Sequence, residues 1–267
     1  MKKETQKAIF FDIDGTISSE ETGIIPESAI HAIRKARENG HLTFINTGRT
    51  LTSVEEKYKE IGFFGYICGC GTAIYEGETC IYKYNVPKDV CMMIMKKARE
   101  TKVTAVYESA ETIYYDRTLP KHPVVENLEN AIAFQGLDLA ENLENADISF
   151  EKFCVWPTKE ADFETFREAI AEYFTCIDRG GGMYEIIPVG LTKATGIQRI
   201  MEYYHISLEN CYAIGDSTND LAMLQFVPNS IAMGNCMKEI LPYCAYQTAS
   251  VEEDGLEKAL KYYQIIS

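Results

Sequence analysis

The run Ala8-Ile9-Phe10-Phe11, closed at once by Asp12-Ile13-Asp14-Gly15-Thr16, constrains the fold more than any other stretch of the chain. Four consecutive apolar residues leave no polar face for water. They read as a short strand covered on both sides, the state of a strand inside a parallel sheet. A β-α-β-α-β rhythm follows. Pro26 suits the first turn of a helix over Pro26–Asn39, which sets Ile30, Ile33 and Ala36 against Arg37 and stops at Gly40. His41–Asn46 is a second strand and ends at Thr47-Gly48-Arg49; Leu51–Ile61 is a helix, and Tyr66–Cys68 a third strand. The alternation predicts an α/β fold built on a doubly wound, Rossmann-like parallel sheet.

The rhythm then changes. Ala73–Tyr75 and Cys80–Tyr84 flank Glu76-Gly77-Glu78-Thr79, a hairpin signature. After Pro87 come a helix over Lys88–Glu100, strands Val103–Glu108 and Thr112–Asp116, and a polar helical stretch near Val124–Ala133. Strand Lys152–Trp156, helix Ala161–Tyr173 and strands near Phe174–Asp178 and Met183–Ile187 complete a mixture typical of an α+β unit. From Lys193 the first rhythm resumes, with helix Lys193–Tyr204, strand Cys211–Ile214, helix Asn219–Phe226, strand Ser230–Met233 and a closing helix near Leu256–Tyr263. The expected organisation is therefore an α/β core over 1–84 and 189–267, interrupted by an inserted α+β domain over 85–188.

Composition narrows the class. The 267 residues are 46% hydrophobic and 25% charged, as in an ordinary globular protein, and the net charge of −14 disfavours nucleic acid or an anionic membrane as a partner. No run approaches the roughly 20 apolar residues needed to span a bilayer. The polar start, Met1–Lys7, leads into a short apolar stretch with no cleavage site, so a cytoplasmic location is expected. Nine cysteines without a CxxC pair fit reduced thiols; Cys68-Gly69-Cys70 has no Cys/His cluster beside it and reads as small buried residues. His31, His41, His122 and His205 are isolated, Gly180-Gly181-Gly182 reads as a turn, and Arg117, Lys121 and His122 read as a solvated loop.

Ligands bind at the carboxyl edge of a parallel sheet, and several core strands end there in polar groups: Asp12 and Asp14, Thr47, and Asp216 with Asn219 and Asp220. Lys193 joins them from the start of a helix. Carboxylates meeting in one crevice repel unless a cation sits among them, and hard oxygen ligands without Cys or His point to Mg2+ rather than zinc. A lysine and a threonine hydroxyl beside that ion describe a phosphate pocket. Asp12 can then attack phosphorus in line, and Asp14 can give a proton to the leaving oxygen and later activate water.

Asp12-Ile13-Asp14-Gly15-Thr16, Thr47-Gly48-Arg49, Lys193 and Gly215-Asp216-Ser217-Thr218-Asn219-Asp220 together resemble the four motifs of the haloacid dehalogenase superfamily, in its phosphatase branch. The placement of the insertion resembles the Cof-type subfamily, whose α/β cap domain covers the active site. Met233-Gly234-Asn235 and Glu253-Asp254-Gly255-Leu256 are further matches. The resemblance implies that Asp12 is the nucleophile and a Mg2+ ligand, and that Asp14 is the acid/base and binds Mg2+ through its backbone carbonyl. It implies that Thr47 bonds the phosphoryl group, that Lys193 bridges that group and Asp12, and that Asp216 is the third metal ligand. Asn219 and Asp220 would position phosphate or the metal's outer shell, Gly48 would permit the turn, and Arg49 would be an accessory to phosphate binding. One departure stands out: the family often has Asn-Gly after the third strand, where this chain reads Cys68-Gly69-Cys70-Gly71-Thr72.

The expected activity is Mg2+-dependent hydrolysis of a small phosphate ester, such as a sugar phosphate or phosphorylated cofactor, through an aspartyl phosphate. A phosphomutase of the same superfamily and a non-catalytic phospho-aspartate regulator are the alternatives. Residues 85–188 carry 11 Lys or Arg against 19 Asp or Glu, a net −8 that disfavours a polyanionic leaving group. A monomer is the default expectation, and a dimer through the inserted domain the alternative.

Overall fold

The N-terminal apolar run is buried throughout, with Ala8, Ile9, Phe10 and Phe11 each 0% exposed. The computed structural model of the chain describes residues 6–111, 113–116, 118–119, 122–123, 134–137 and 148–267, the side chains of 134–137 left aside. In chain order, β1 is Ala8–Phe11, α1 Glu27–Glu38, β2 Leu42–Asn46, α2 Glu56–Lys59, β3 Gly65–Cys68, β4 Ala73–Glu76 and β5 Thr79–Lys83. Then come α3 Lys88–Thr101, β6 Thr104–Glu108, β7 Ile113–Asp116, β8 Phe134–Leu137, β9 Lys152–Trp156, α4 Phe163–Ile170, β10 Phe174–Asp178 and β11 Tyr184–Pro188. The chain closes with α5 Lys193–Tyr204, β12 Cys211–Gly215, α6 Leu221–Phe226, β13 Asn229–Ala232, β14 Tyr246–Gln247 and α7 Gly255–Tyr262.

Two units result: Met1–Arg49, Val54–Tyr82 and Leu191–Ser267 form one, and Thr50–Ser53 with Lys83–Gly190 the other. The first is an α/β unit with an eight-stranded sheet in the order β14-β13-β12-β1-β2-β3-β4-β5. From β14 to β3 the strands are parallel; β4 turns back antiparallel on β3. Alternate side chains of the central strands, Phe10 and Phe44 among them, pack with Ile197 and Ile200 of α5 and Met223 and Leu224 of α6. Helix α1 packs against β2 and α7. Among the described residues, no helix is long and apolar enough to cross a membrane.

The second unit is α+β. Its six-stranded sheet runs β10-β11-β9-β6-β7-β8, antiparallel except for β7 beside β8. Ala105, Tyr107, Phe153, Val155 and Ile186 share an apolar core with Val90, Ile94 and Met95 of α3 and Phe166 and Ile170 of α4. The other sheet face carries charge. Glu108 of β6 stands opposite Lys152 of β9, and Lys152 Nζ donates to Glu185 Oε1 of β11 at 2.5 Å and lies 3.5 Å from Glu108 Oε1. Arg179 donates to the second oxygen of Glu185, through Nε at 2.9 Å. Gly180, Gly181 and Gly182, all left-handed, form the turn between β10 and β11.

Three features depart from the sequence reading. The helix expected over Leu51–Ile61 is broken: Leu51–Ser53 is a single 3-10 turn, Glu55 is extended (φ −62°, ψ 150°), and α2 holds only four residues. Side-chain anchors accompany the break. Glu55 binds Arg49 at 3.1 Å and Lys57 at 3.0 Å, while the Thr52 hydroxyl donates to the Ala110 carbonyl within the second unit. The helix expected from Asn219 begins as a 3-10 turn over Thr218–Asp220, because the Asp220 carboxylate turns back to accept the Ser217 N–H. Strands β8 and β14 escaped the pattern, having four and two residues with no alternation to betray them. The helical stretch expected near 124–133, Arg117 and Lys121 lie outside the described residues.

Burial alone would raise the Glu185 carboxyl, but the Lys152 and Arg179 cations outweigh it and hold it down at about 2, against 4.5 ordinarily. The stabilisation is therefore complete above pH 4.5 and lost as pH falls toward 2. Lys152→Met would leave two buried carboxylates facing each other, and we expect a loss of about 3–5 kcal/mol at pH 7, measured by urea denaturation.

Candidate active site

The chain passes from β1 to β2 on one side of the sheet and much later returns to lay β12 on the other, which makes the end of β1 a topological switch point. Crevices at such points are where open α/β sheets bind ligands. Register does the rest. Phe11 is level with Ile45 of β2 and Ile214 of β12, so Asp12 and Asn46 come level and Thr47 and Asp216 lie just beyond. The Asp12 N–H extends the ladder by donating to the Ile214 carbonyl at 3.0 Å.

Four ionic groups meet here inside the protein: Asp12 (3% exposed), Asp216 (5%), Asp220 (0%) and Lys193 (1%). Lys193 Nζ donates to Asp12 Oδ1, and to Asp220 Oδ1 at 2.6 Å. The other Asp220 oxygen accepts the N–H groups of Asp216 at 3.0 Å and Ser217 at 3.2 Å. Thr16 Oγ donates to Asp216 Oδ1 at 3.3 Å. Gly15 is left-handed (φ +74°), and a Cβ there would come within 2.4 Å of Asp216 Oδ2, so only glycine admits this carboxylate.

Oxygens of Asp12, Asp216 and Asp220 lie within 4.8 Å of one another, with one ammonium among three carboxylates. Burial, then Asp220, push the Asp12 carboxyl up to about 7 against the opposing pull of Lys193. Burial, Asp220 and Asp12 push Asp216 up to about 8. Burial would lower the Lys193 amine, yet Asp12 and Asp220 hold it well above its ordinary value, so the ammonium persists. The donor set is all hard oxygen and short of positive charge, and it fits a divalent cation.

The remaining expected residues fall around this cluster. Thr47 is buried, and its Oγ accepts the Arg49 N–H at 3.1 Å; Gly48 lies in the bend between them. Asn219 is partly buried, and its Oδ1 accepts from Ser217 Oγ at 2.9 Å. Asp14 is not one of the three clustered carboxylates. Its half-exposed carboxylate is held at two points by Arg49, Nη2 at 2.6 Å and Nε at 3.2 Å, and Arg49 reaches Glu55 as well.

Three further residues were assigned no site role from the sequence. Cys70, between left-handed Gly69 and Gly71, is itself left-handed (φ 56°), and its N–H donates to the Thr47 carbonyl at 3.0 Å. The glycines flanking it were the available signal. Asn235 donates to the Gly15 carbonyl at 2.8 Å and accepts the Val251 N–H at 3.1 Å, clasping the first motif to the C-terminal segment. Asn46 is a buried amide on an apolar strand, and the break in alternation after Leu42 and Phe44 marked it.

The family model for haloacid dehalogenase-like hydrolases matches residues 9–260. The chain belongs to that family. This hydrolase is 29% identical over 266 residues to YkrA of Bacillus subtilis (strain 168), a phosphatase by name, with 96% of each chain covered. It is 28% identical over 265 residues to YitU of the same organism, a 5-amino-6-(5-phospho-D-ribitylamino)uracil phosphatase, again covering 96% of each. Among solved structures, the subclass IIB sugar phosphatase BT4131 superposes with a TM-score of 0.80 at 26% identity, over 98% of this chain and 100% of that one. The family, the α/β core and the second sheet agree with the motif resemblance, and the hydrolase is a phosphatase.

A folded carboxyl raised above its unfolded value binds extra protons, so its stabilisation is lost as pH rises from about 3.8 through about 7 to 8. In protein stripped of divalent ions, Asp216→Asn should therefore stabilise, and more at pH 8 than at pH 5, by urea denaturation. A divalent cation at a hundred times its Kd should stabilise wild type at pH 8 by about 2.7 kcal/mol and Asp216→Asn far less.

Proposed function

We propose that this phosphatase is a Mg2+-dependent phosphomonoesterase of small metabolites that works through a phospho-aspartate at Asp12. The observation that supports it most is the buried Asp12 carboxylate with Lys193 fixed on one oxygen. The ammonium holds Oδ1, which leaves Oδ2 to attack phosphorus in line. Lys193 also offsets charge on the phosphoryl oxygens, and the Thr47 hydroxyl, its oxygen already engaged by the Arg49 N–H, has its hydrogen to donate to one of them. Asp12, Asp216 and the backbone of Asp14 would hold the Mg2+, with Asp220 outside them; the ion supplies positive charge that favours ionised carboxylates and offsets the phosphoryl charge.

Asp14 serves as acid and base. Its proton goes to the leaving oxygen as the phosphorus–oxygen bond breaks, and its carboxylate then takes a proton from the water that attacks the phospho-aspartate. A carboxylate gripped at two points by Arg49 cannot donate while paired, so the acid step follows release from Arg49. Gly48, Arg49 and Asn219 line the phosphate pocket in this reading.

The substrate class follows from the relatives and from charge. YitU acts on a phosphorylated ribityl pyrimidine and BT4131 on sugar phosphates. With a net −8 over residues 85–188, a neutral or cationic leaving group such as a sugar or cofactor-precursor alcohol is favoured over a polyanion. Phosphate release from an aryl phosphate with Mg2+, followed by a panel of phosphomonoesters, tests the reading. Asp12→Asn should lower kcat by roughly 1,000-fold or more because it removes the nucleophile itself. Wild-type turnover no greater than that variant's would reject the proposal.

A further inference from the structure

Side chains alternate along β2, and Leu42 and Phe44 enter the apolar layer with Phe10, Ile67, Ile197 and Met223. The next residue on that face is Asn46, at 0% exposure. Its Nδ2 donates to the backbone carbonyl of Lys193 at 3.1 Å and lies 3.5 Å from Met223 Sδ. Its Oδ1 is buried and accepts no hydrogen bond among the described residues. A leucine here would complete the apolar line and strand no polar atom. On stability alone, the asparagine is the wrong residue.

Nor does the Lys193 carbonyl require this bond. Lys193 is the first residue of α5, so its carbonyl already has the Ile197 N–H one turn on. What the extra bond changes is location. It ties the peptide of Lys193 to the carboxyl end of β2, at the position level with Asp12 on β1. The same turn is fixed from its other side by the reciprocal Thr192–Thr195 capping box, with bonds of 3.2 and 3.0 Å. The lysine side chain thus leaves a main chain pinned at two points, and its Nζ reaches Asp12 and Asp220 together.

We propose that Asn46 is a positioning residue for Lys193: its amide fixes the peptide that carries the ammonium, and so sets the ammonium between the two carboxylates. The catalytic consequence rests on the phosphatase reading above; the geometric one does not. Asn46→Leu should fold with a melting temperature at or above wild type, lose roughly 10- to 100-fold in kcat, and keep KM within about twofold. In a Lys193→Met background the same substitution should change kcat by less than about twofold, since nothing remains to be positioned. Full kcat in folded Asn46→Leu overturns the proposal, and so does an equal loss in both backgrounds. Should the leucine variant not fold, the smaller Asn46→Ser is measured by the same criteria. A crystal structure of either variant reads the geometry without reference to activity. Displacement of Nζ from one carboxylate supports the proposal, and an unmoved bridge to both overturns it. Absence of phosphate release by wild type counts against the functional reading alone, and the variant structure then decides.

Discussion

One buried ammonium holds the carboxyl edge of the first unit's sheet together. Lys193 is sealed from water, and burial alone would lower its hold on the proton; Asp12 and Asp220, bonded to it, more than offset that. Asp220 extends that interaction: the oxygen not used by lysine accepts two N–H groups from the turn after β12, and that turn carries Asp216. Charge and backbone geometry are thereby one arrangement. Three segments far apart in the chain, after β1, at the start of α5 and after β12, are brought together by the sheet order and locked by ionic bonds in a low-dielectric site.

The two carboxylates of the first motif, two residues apart, live in different media. Asp12 is enclosed, and its proton affinity is set by burial and by Asp220. Asp14 is half exposed and shares Arg49 with Glu55, so its pairing is screened by solvent and weak enough to exchange. That contrast suits the roles proposed for them, a nucleophile that must stay put and a proton carrier that must let go. In that proposal the difference comes from the environment, since the side chains are identical.

The central sheet was legible because its strands are apolar on both faces and its polar residues cluster at strand ends; Asp12, Thr47 and Asp216 stood out for that reason. Helix α5 was read to the residue, since Thr192 and His205 bound an unbroken amphipathic run. Legibility failed where long-range contacts overrule local pattern. The Leu51–Ile61 segment has helical periodicity, but its chain takes another path, with Thr52 anchored on Ala110 and Glu55 paired to Arg49 and Lys57. The pairing of Asp14 with Arg49 depends on how two loops meet, and no spacing along the chain encodes that. The charged face of the second sheet was hidden for a similar reason: Glu108, Lys152 and Glu185 are unremarkable until three strands align them.

The left-handed Cys70 has an implication for engineering. That backbone conformation costs an ordinary L-residue roughly 1–2 kcal/mol, and asparagine tolerates it far better. The loop thus keeps a thiol where its own geometry favours an amide. Anyone seeking a hardier enzyme has an address here at which a single codon change relaxes the main chain.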